Sequence, residues 1–509
     1  MNHAKAAKIV LIGAGSANFG ANSVATLLRE PSLRGSTIAL VDLNAEGLAL
    51  VHRLCERMNR EWEAGVTIVS DTDRCAVLAD ADFVVCAIEV GPREELWRLD
   101  WEIPLRHGLR QPYAENGGPG GMFHAARNIP HILDIARDME RLSPRAVLIN
   151  LTNPVPRLCR AVSKYTSIEV VGLCHQIGHA YYSIGMTIGD AIGLAPPAAM
   201  RDAKAVHDVS YWDLVHAYTD SVAAAVDIKA AGLNHFTWLL DVRDQRSGKD
   251  LYPLLKERYL ADPHGPDPFM RDILAVTGCL AVPGDTHLSE YLPYVHNAVT
   301  KPWERYGIPL FEWDDAARRR NELWDEITHL VEDKTTSIEH LRRVPSEGVF
   351  EVIHGIAHDA NLYRLSINVP NDGAITNLPD HTIVEVPAVI GGMGVLPLRV
   401  GALPPFVAEL CRREAERVEY VVDAAVSGDR ELALQALALD STVDDLDVAR
   451  AILDDYLETQ REQLPQFHGH WRLEDGPRLD AGRGSLLKLG STAAGDWKVG
   501  RIDDLYHFR

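Results

Sequence analysis

The strongest constraint on the fold lies at the start of the chain. A β-branched apolar run, Lys8–Gly13 (KIVLIG), passes through Gly13-Ala14-Gly15-Ser16-Ala17-Asn18-Phe19 into a helical pattern over Ala21–Arg29. Strand, glycine turn and helix in this order open a βαβ unit. The alternation continues. Ser36–Asp42 reads as a strand and Asn44–Asn59 as a helix. Asp82–Val90, Ala146–Leu151 and Val170–Leu173 read as further strands, with a helix over Met122–Leu142 among them. This predicts an α/β fold, a Rossmann-type doubly wound parallel sheet, over 1–200. The second half is less regular. Ala223–Ala231 and Phe236–Val242 read as strands flanking Asn234-His235. Ala316–Glu332, Phe406–Val426, Arg430–Leu439 and Val443–Arg461 read as helices, so 201–509 is expected to be α+β with a helical C-terminal part. Ala191–Tyr211, rich in Ala, Pro and Asp, reads as an excursion, and the tail after His468 has no assigned role.

Composition narrows the function classes. The chain has 509 residues, 46% of them hydrophobic, enough for a large core. A formal net charge of -21 with no long basic run argues against nucleic acid or an anionic membrane as the main partner. No stretch is long and apolar enough to predict a membrane span. The N-terminus runs straight into strand and turn, so no signal peptide is read there. The seven cysteines are scattered and odd in number, without CxxC spacing, which fits reduced thiols in the cytoplasm.

The glycine turn is the first candidate site. Gly13 and Gly15 permit close backbone approach to a pyrophosphate, and a helix N-terminus follows through Ser16, Asn18 and Phe19. Asn18 stands where the fingerprint usually has its third glycine. Asp42, at the end of the second strand, can bond ribose hydroxyls and repels a 2′-phosphate, favouring NAD over NADP. The alternative is a helix-capping turn with a surface Asp. Glu89 and Asn153 lie at later strand ends, where a doubly wound sheet offers its carboxyl edge to ligand. Asn153 in Asn153-Pro154 can also reach a substrate hydroxyl, or simply satisfy its own turn.

A second constellation is chemical. Cys174 follows a strand and is expected to start a helix, whose dipole lowers a thiol pKa. His235 sits between two strands. A thiolate and an imidazole suit a borderline divalent ion, although about sixty residues separate them and packing roles are the common alternative. In Pro283–Tyr294, His287 and Tyr291 stand one turn apart if the segment is helical. Tyr291 can act as a base where a cation depresses its pKa. Gln111–Gly121 (QPYAENGGPGG) reads as a glycine-rich mobile cover carrying Glu115.

Together the early GAGS turn, LTNP (151–154), GLCH (172–175), AGLNH (231–235), THLSEY (286–291) and NDGAITNLPDHTIVEVP (371–387) resemble glycoside hydrolase family 4, the NAD-dependent glycosidases, over about residues 8 to 460. The α-galactosidase-like branch is the most similar, through Gly118-Pro119-Gly120-Gly121 before a long helix. A sister family such as the NAD-dependent sulfoquinovosidases is the other placement. The resemblance implies a lactate/malate dehydrogenase-like superfold, NAD, and a divalent metal, usually manganese, on Cys174 and His235. It implies oxidation at C3 of the sugar, loss of the C2 proton to Tyr291, elimination of the aglycone, addition of water and re-reduction. Glu115 and His175 are the candidates for the acid, and Asn153, His175 and His287 for substrate binding. CHQI at 174–177 departs from the subgroup patterns, and His175 argues against 6-phospho-sugars. A homo-oligomer acting on a small glycoside, most simply α-linked, is expected. The alternatives are an anionic sugar such as sulfoquinovose or a glucuronide, a plain NAD-dependent hydroxy-acid dehydrogenase, and a nucleotide-binding regulator without turnover.

Overall fold

The computed structural model describes residues 6–17, 19–201, 209–311 and 313–473. The short apolar runs of the first half become six parallel strands: β1 (Lys8–Ile12), β2 (Thr37–Val41), β3 (Thr67–Asp71), β4 (Phe83–Cys86), β5 (Val147–Asn150) and β6 (Val170–Gly172). Their order, β3-β2-β1-β4-β5-β6, reverses direction at β1, as in a doubly wound sheet. Both faces are covered. Ile9 and Leu11 enter one core, while Val10 and Ile12 enter the other, which is why these strands read as unbroken apolar runs.

The sheet does not stop at β6. β7 (Val226–Leu233), β8 (Phe236–Asp244), β9 (Leu280–Ala281), β10 (Leu362–Pro370), β11 (Ile383–Gly391) and β12 (Gly394–Pro397) extend it with antiparallel pairs, in the order β6-β10-β11-β7-β8-β9, with β12 on β11. One transverse row of register partners crosses both halves. It runs Asp71, Val41, Ile12, Cys86, Asn150, Gly172, Asn368, Glu385, Gly232, Thr237. The segments holding Asp42, Gly13, Glu89, Asn153, Cys174 and His235 all leave the sheet within a few residues of this row.

Most expected elements are present with ends shifted by a few residues. The β4 strand ends early because the Thr152 hydroxyl accepts the Ile88 N–H at 2.9 Å, leaving Glu89 in a loop. The long helix starts at Gly118 rather than Met122, so it takes in Gly118–Gly121, the end of the glycine-rich segment. The last helix is Leu446–Thr459. Part of the 191–211 excursion, residues 202–208, and the tail from residue 474 lie outside the described residues. Among the described residues no helix is long and apolar enough to cross a membrane.

The helical C-terminal part is fastened by charge as well as by packing. Arg127, on helix Gly118–Leu142, makes two parallel bonds to Asp100 on helix Arg93–Arg106, at 2.8 and 2.5 Å. Gln460 Oε1 accepts from Arg127 at 2.8 Å, and the Tyr456 hydroxyl donates to the Asp100 carbonyl at 2.8 Å. Arg127 and Asp100 are both fully buried, so removing one partner strands the other charge. Asp100→Ala should therefore cost about 3–5 kcal/mol of unfolding free energy in urea titration. A cost of a few tenths would mean that solvent reaches Arg127.

Candidate active site

At the carboxyl edge of the parallel half, Gly13 leaves β1 with φ +93°. A side-chain carbon there would stand 2.0 Å from the Ala87 carbonyl oxygen, so the position requires glycine. The N–H groups of Gly15 and Asn44 donate to the two Asp42 oxygens, each at 2.8 Å. Asp42 thus fastens the turn, while each oxygen keeps a lone pair for a ribose hydroxyl. Ser16 Oγ accepts from the Phe19 N–H at 3.3 Å and opens helix Phe19–Leu28. Asn18 lies outside the described residues. The close approach of helix and turn that a third glycine allows is made instead by Gly20, where a side-chain carbon would stand 2.0 Å from the Ala14 carbonyl. Together these features form a cradle that fits a dinucleotide pyrophosphate.

Glu89 meets both its neighbours across the edge. It lies 3.2 Å from His124 Nε2, and Arg93 approaches both Glu89 (3.9 Å) and Glu115 (3.7 Å). Burial opposes its ionisation, but His124, Arg127 and Arg93 outweigh burial and hold the carboxyl at about 2. Asn153 is half-buried in the turn after β5, and its peptide bond to Pro154 is cis.

Beyond β6 the sheet brings Cys174 and His235 together, with Sγ 3.4 Å from Nε2. Cys174 does not start a helix. Leu173–Ile177 is a turn, and the helix is Gly178–Ile188. The expected dipole effect is absent, and burial, reinforced by Glu385 and Glu347, pushes the thiol well up. Burial, with His287 and His175 nearby, holds His235 well below its ordinary value, so it is a neutral imidazole. A buried thiol beside a neutral imidazole ionises only against a cation, and that donor pair fits a divalent metal. Among the described residues no third His, Cys, Asp or Glu converges with them. Such an ion would take its other ligands from substrate or water.

A buried carboxylate holds both ligand-bearing segments. Glu385, on β11, accepts from Gln176 Nε2 in the Cys174 turn, from Thr237 Oγ1 beyond His235, from Ser366 Oγ, and from Asn234 Nδ2 at 3.4 Å. Buried atoms without a partner gather at the same place: Gln176 Oε1, Asn234 Oδ1, Asn368 Oδ1 and His235 Nδ1. Orphaned polar atoms at this density mark a place prepared for ligand.

The third segment differs from expectation. The helix is short, Gly284–Leu288, and ends before Tyr291, so His287 and Tyr291 do not share a helical face. The Tyr291 ring stacks on Phe236 at 4.9 Å. Burial, with Glu290 and Glu414 nearby, pushes its hydroxyl well up, while Arg157 and Arg417 pull the other way. His287 lies against His235 (4.5 Å between ring centres) and Tyr113 (4.7 Å). Residues 111–121 are not an exposed cover: all but half-buried Tyr113 are buried. Gln111 Oε1 accepts the Gly120 N–H at 2.9 Å, and Glu115 sits in the interior bonded to Asn116 at 2.9 Å. His175 is largely exposed and pairs with Glu347 at 3.0 Å, which raises its pKa.

Sequence reading missed Gly20, Glu290, Glu347 and Glu385. Glu385 had a visible signal, as the one charge in the apolar run TIVEVPAVIG.

Residues 8–187 match the family described as Family 4 glycosyl hydrolase, and residues 230–443 match its C-terminal domain. The chain is 29% identical over 499 residues to an alpha-glucosidase of Erwinia rhapontici, covering 90% of this chain and 99% of that protein. It is 30% identical over 469 residues to an alpha-galactosidase of Bacillus subtilis (strain 168), again covering 90% and 99%. Its fold superimposes with a TM-score of 0.70 on a 6-phospho-alpha-glucosidase from gut microorganisms solved in complex with NAD and Mn2+, at 20% identity over 91% of this chain and 100% of that one.

Glu385→Gln replaces one acceptor oxygen of this network with a donor that faces hydroxyl and amide hydrogens. Outer-shell changes of this kind cost about 10–100-fold in metal affinity. A weakening of that size in Mn2+ titration followed by electron paramagnetic resonance is the expected result, and unchanged affinity would detach Glu385 from the Cys174–His235 pair.

Proposed function

The chain belongs to family 4 of the glycosyl hydrolases, and on that premise we propose that it hydrolyses an α-linked glycoside of a neutral hexose with NAD and a divalent metal, manganese in this reading, as cofactors. The observation that carries the proposal is the side-by-side placement of the glycine cradle and the Cys174–His235 pair on one edge of one sheet. A glycosidase needs no nucleotide cradle unless it oxidises its sugar. The reaction runs by oxidation at C3, removal of the C2 proton, elimination of the aglycone from C1, addition of water and reduction at C3. The cofactors, when bound, supply a hydride acceptor and donor and a Lewis acid toward the sugar oxygens.

The chain's own residues do the rest. Gly13, Gly15, Ser16, Asn18 and Phe19 receive the pyrophosphate, Asp42 the adenosine ribose, and Glu89 and Asn153 the inner part of the nucleotide. Cys174 and His235 hold the metal, and Asn153, His175 and His287 address the sugar hydroxyls. Tyr291 takes the C2 proton. Burial and the neighbouring Glu290 and Glu414 hold its own proton, and Arg157 and Arg417 oppose them; a bound divalent ion would add to that opposing positive charge. Glu115 and His175 are the candidates to protonate the leaving oxygen. The chain divides into 1–200 for the nucleotide and 201–509 for the sugar and metal, with Asn153, Cys174 and His175 supplied to the sugar and metal from the first part.

A neutral sugar is supported by the relatives rather than by the walls. Glu89, Glu115, Glu290, Glu347 and Glu385 stand around the site with Arg93, and Arg157 and Arg417 lie near Tyr291. The alpha-glucosidase and alpha-galactosidase names of two relatives support a neutral sugar over an anionic one. A hydroxy-acid dehydrogenase would have no use for the Cys174–His235 pair. All seven cysteines are unpaired, in keeping with a cytoplasmic enzyme, and we expect a homo-oligomer.

The test is a screen on nitrophenyl α- and β-glycosides with NAD, Mn2+ and a thiol reductant, each omitted in turn. Cleavage that needs both cofactors without net NADH is expected, and cleavage indifferent to NAD would overturn the mechanism. In the active assay Tyr291→Phe should lower kcat at least about tenfold. An unchanged rate would remove Tyr291 as the base.

A further inference from the structure

Glu290 is fully buried, and its carboxylate joins two parts of the site. Oε1 accepts three successive backbone N–H groups, from Glu115 (2.9 Å), Asn116 (3.0 Å) and Gly117 (3.3 Å). Oε2 lies 3.0 Å from His287 Nδ1. The fit is close on the loop side too, since a side-chain carbon on Gly117 would stand 2.5 Å from the Glu290 carbonyl oxygen. The backbone of Glu115, the His287 ring and, through the ring contact at 4.5 Å, His235 are thus tied to one anchor.

A carboxylate only accepts, so the nitrogen facing Oε2 carries the hydrogen. Neutral imidazole has one N–H, which leaves Nε2 with a lone pair. A sugar hydroxyl whose oxygen faces a cation is a strengthened donor, and an imidazole Nε2 without hydrogen is the matching acceptor. We infer that Glu290 is a positioning residue that fixes His287 as its Nδ1–H tautomer, so that Nε2 accepts a hydrogen bond from a hydroxyl of the sugar, and that it locks the backbone of residues 115–117 to the same imidazole. The identity of the partner as a sugar rests on the glycosidase reading above, whereas the tautomer does not.

Glu290→Gln separates the two duties. The amide oxygen must stay toward the three N–H groups, because an NH2 there would face only donors. The NH2 therefore meets His287, forces Nδ1 to accept, and moves the hydrogen to Nε2. The 15N spectrum of histidine-labelled protein at about pH 8, where free imidazole is neutral, reports the tautomer directly. The His287 signal is identified by its loss in His287→Asn. The wild type should show Nδ1–H and Glu290→Gln should show Nε2–H. The variant should also keep its urea midpoint and lose about tenfold in kcat/KM on the cleaved glycoside, mostly through KM, the scale of one hydrogen bond. A wild-type Nε2–H signal, or a Glu290→Gln enzyme with unaltered kcat/KM, would overturn the inference. The wild-type spectrum decides it even if the variant fails to fold. A wild type that cleaves no glycoside removes the glycosidase reading, while the spectrum still settles what Glu290 does to His287.

Discussion

The row of hydrogen-bonded partners from Asp71 to Thr237 sets the relative positions of everything else. In an isolated doubly wound sheet the carboxyl edge holds a nucleotide and little more. Here the edge continues past β6 through a single antiparallel pair, Asn368 with Gly172, into β10 and β11, and from Glu385 with Gly232 into the β7–β8 hairpin. That continuity places His235, some sixty residues after Cys174 in the chain, within 3.4 Å of it. The backbone ladder supplies the rigidity, and the site residues need only short turns to reach one another.

Buried carboxylates set the second level of organisation. Glu385 gathers the two ligand-bearing turns, and Glu290 gathers the glycine-rich segment and His287. Burying a carboxylate is costly unless several donors face it, and both are surrounded by donors. The arrangement makes the site a set of mutually fixed segments. It also explains why residues 111–121 are packed despite their glycines: Glu290 comes close to Gly117 and Asn116 to Gly121, leaving no room there for a side chain.

The parallel half was legible in the sequence because its strands are buried on both faces, and unbroken apolar runs between helical patterns have few other solutions. The cradle was legible because a glycine turn between strand and helix is a local feature. Asn18 stands where the usual third glycine would be, and the close contact made by Gly20 was not legible, because Gly20 lies inside the helix and only the packing reveals its role. The pairing of Cys174 with His235 was not legible from spacing, since it depends on non-local strand order. Resemblance to a known family supplied it. Cys174 was given a helix start because it follows a strand, but a further turn intervenes, and burial then raises the thiol pKa instead of lowering it. Glu290 sits beside two residues that attracted attention for their chemistry, and a carboxylate whose work is to hold backbone amides has no sequence signature.

The central claim is that this fold cleaves a glycosidic bond by oxidation and elimination. Its distinctive step is the loss of the sugar's C2 proton and the return of another from solvent. The direct measurement is turnover of an α-glycoside in D2O with NAD and Mn2+, followed by proton magnetic resonance of the released sugar. The account predicts deuterium at C2 of the product and none at C2 of sugar incubated without the protein. Product that retains its C2 hydrogen after turnover would contradict it, and would return the chain to direct displacement at C1.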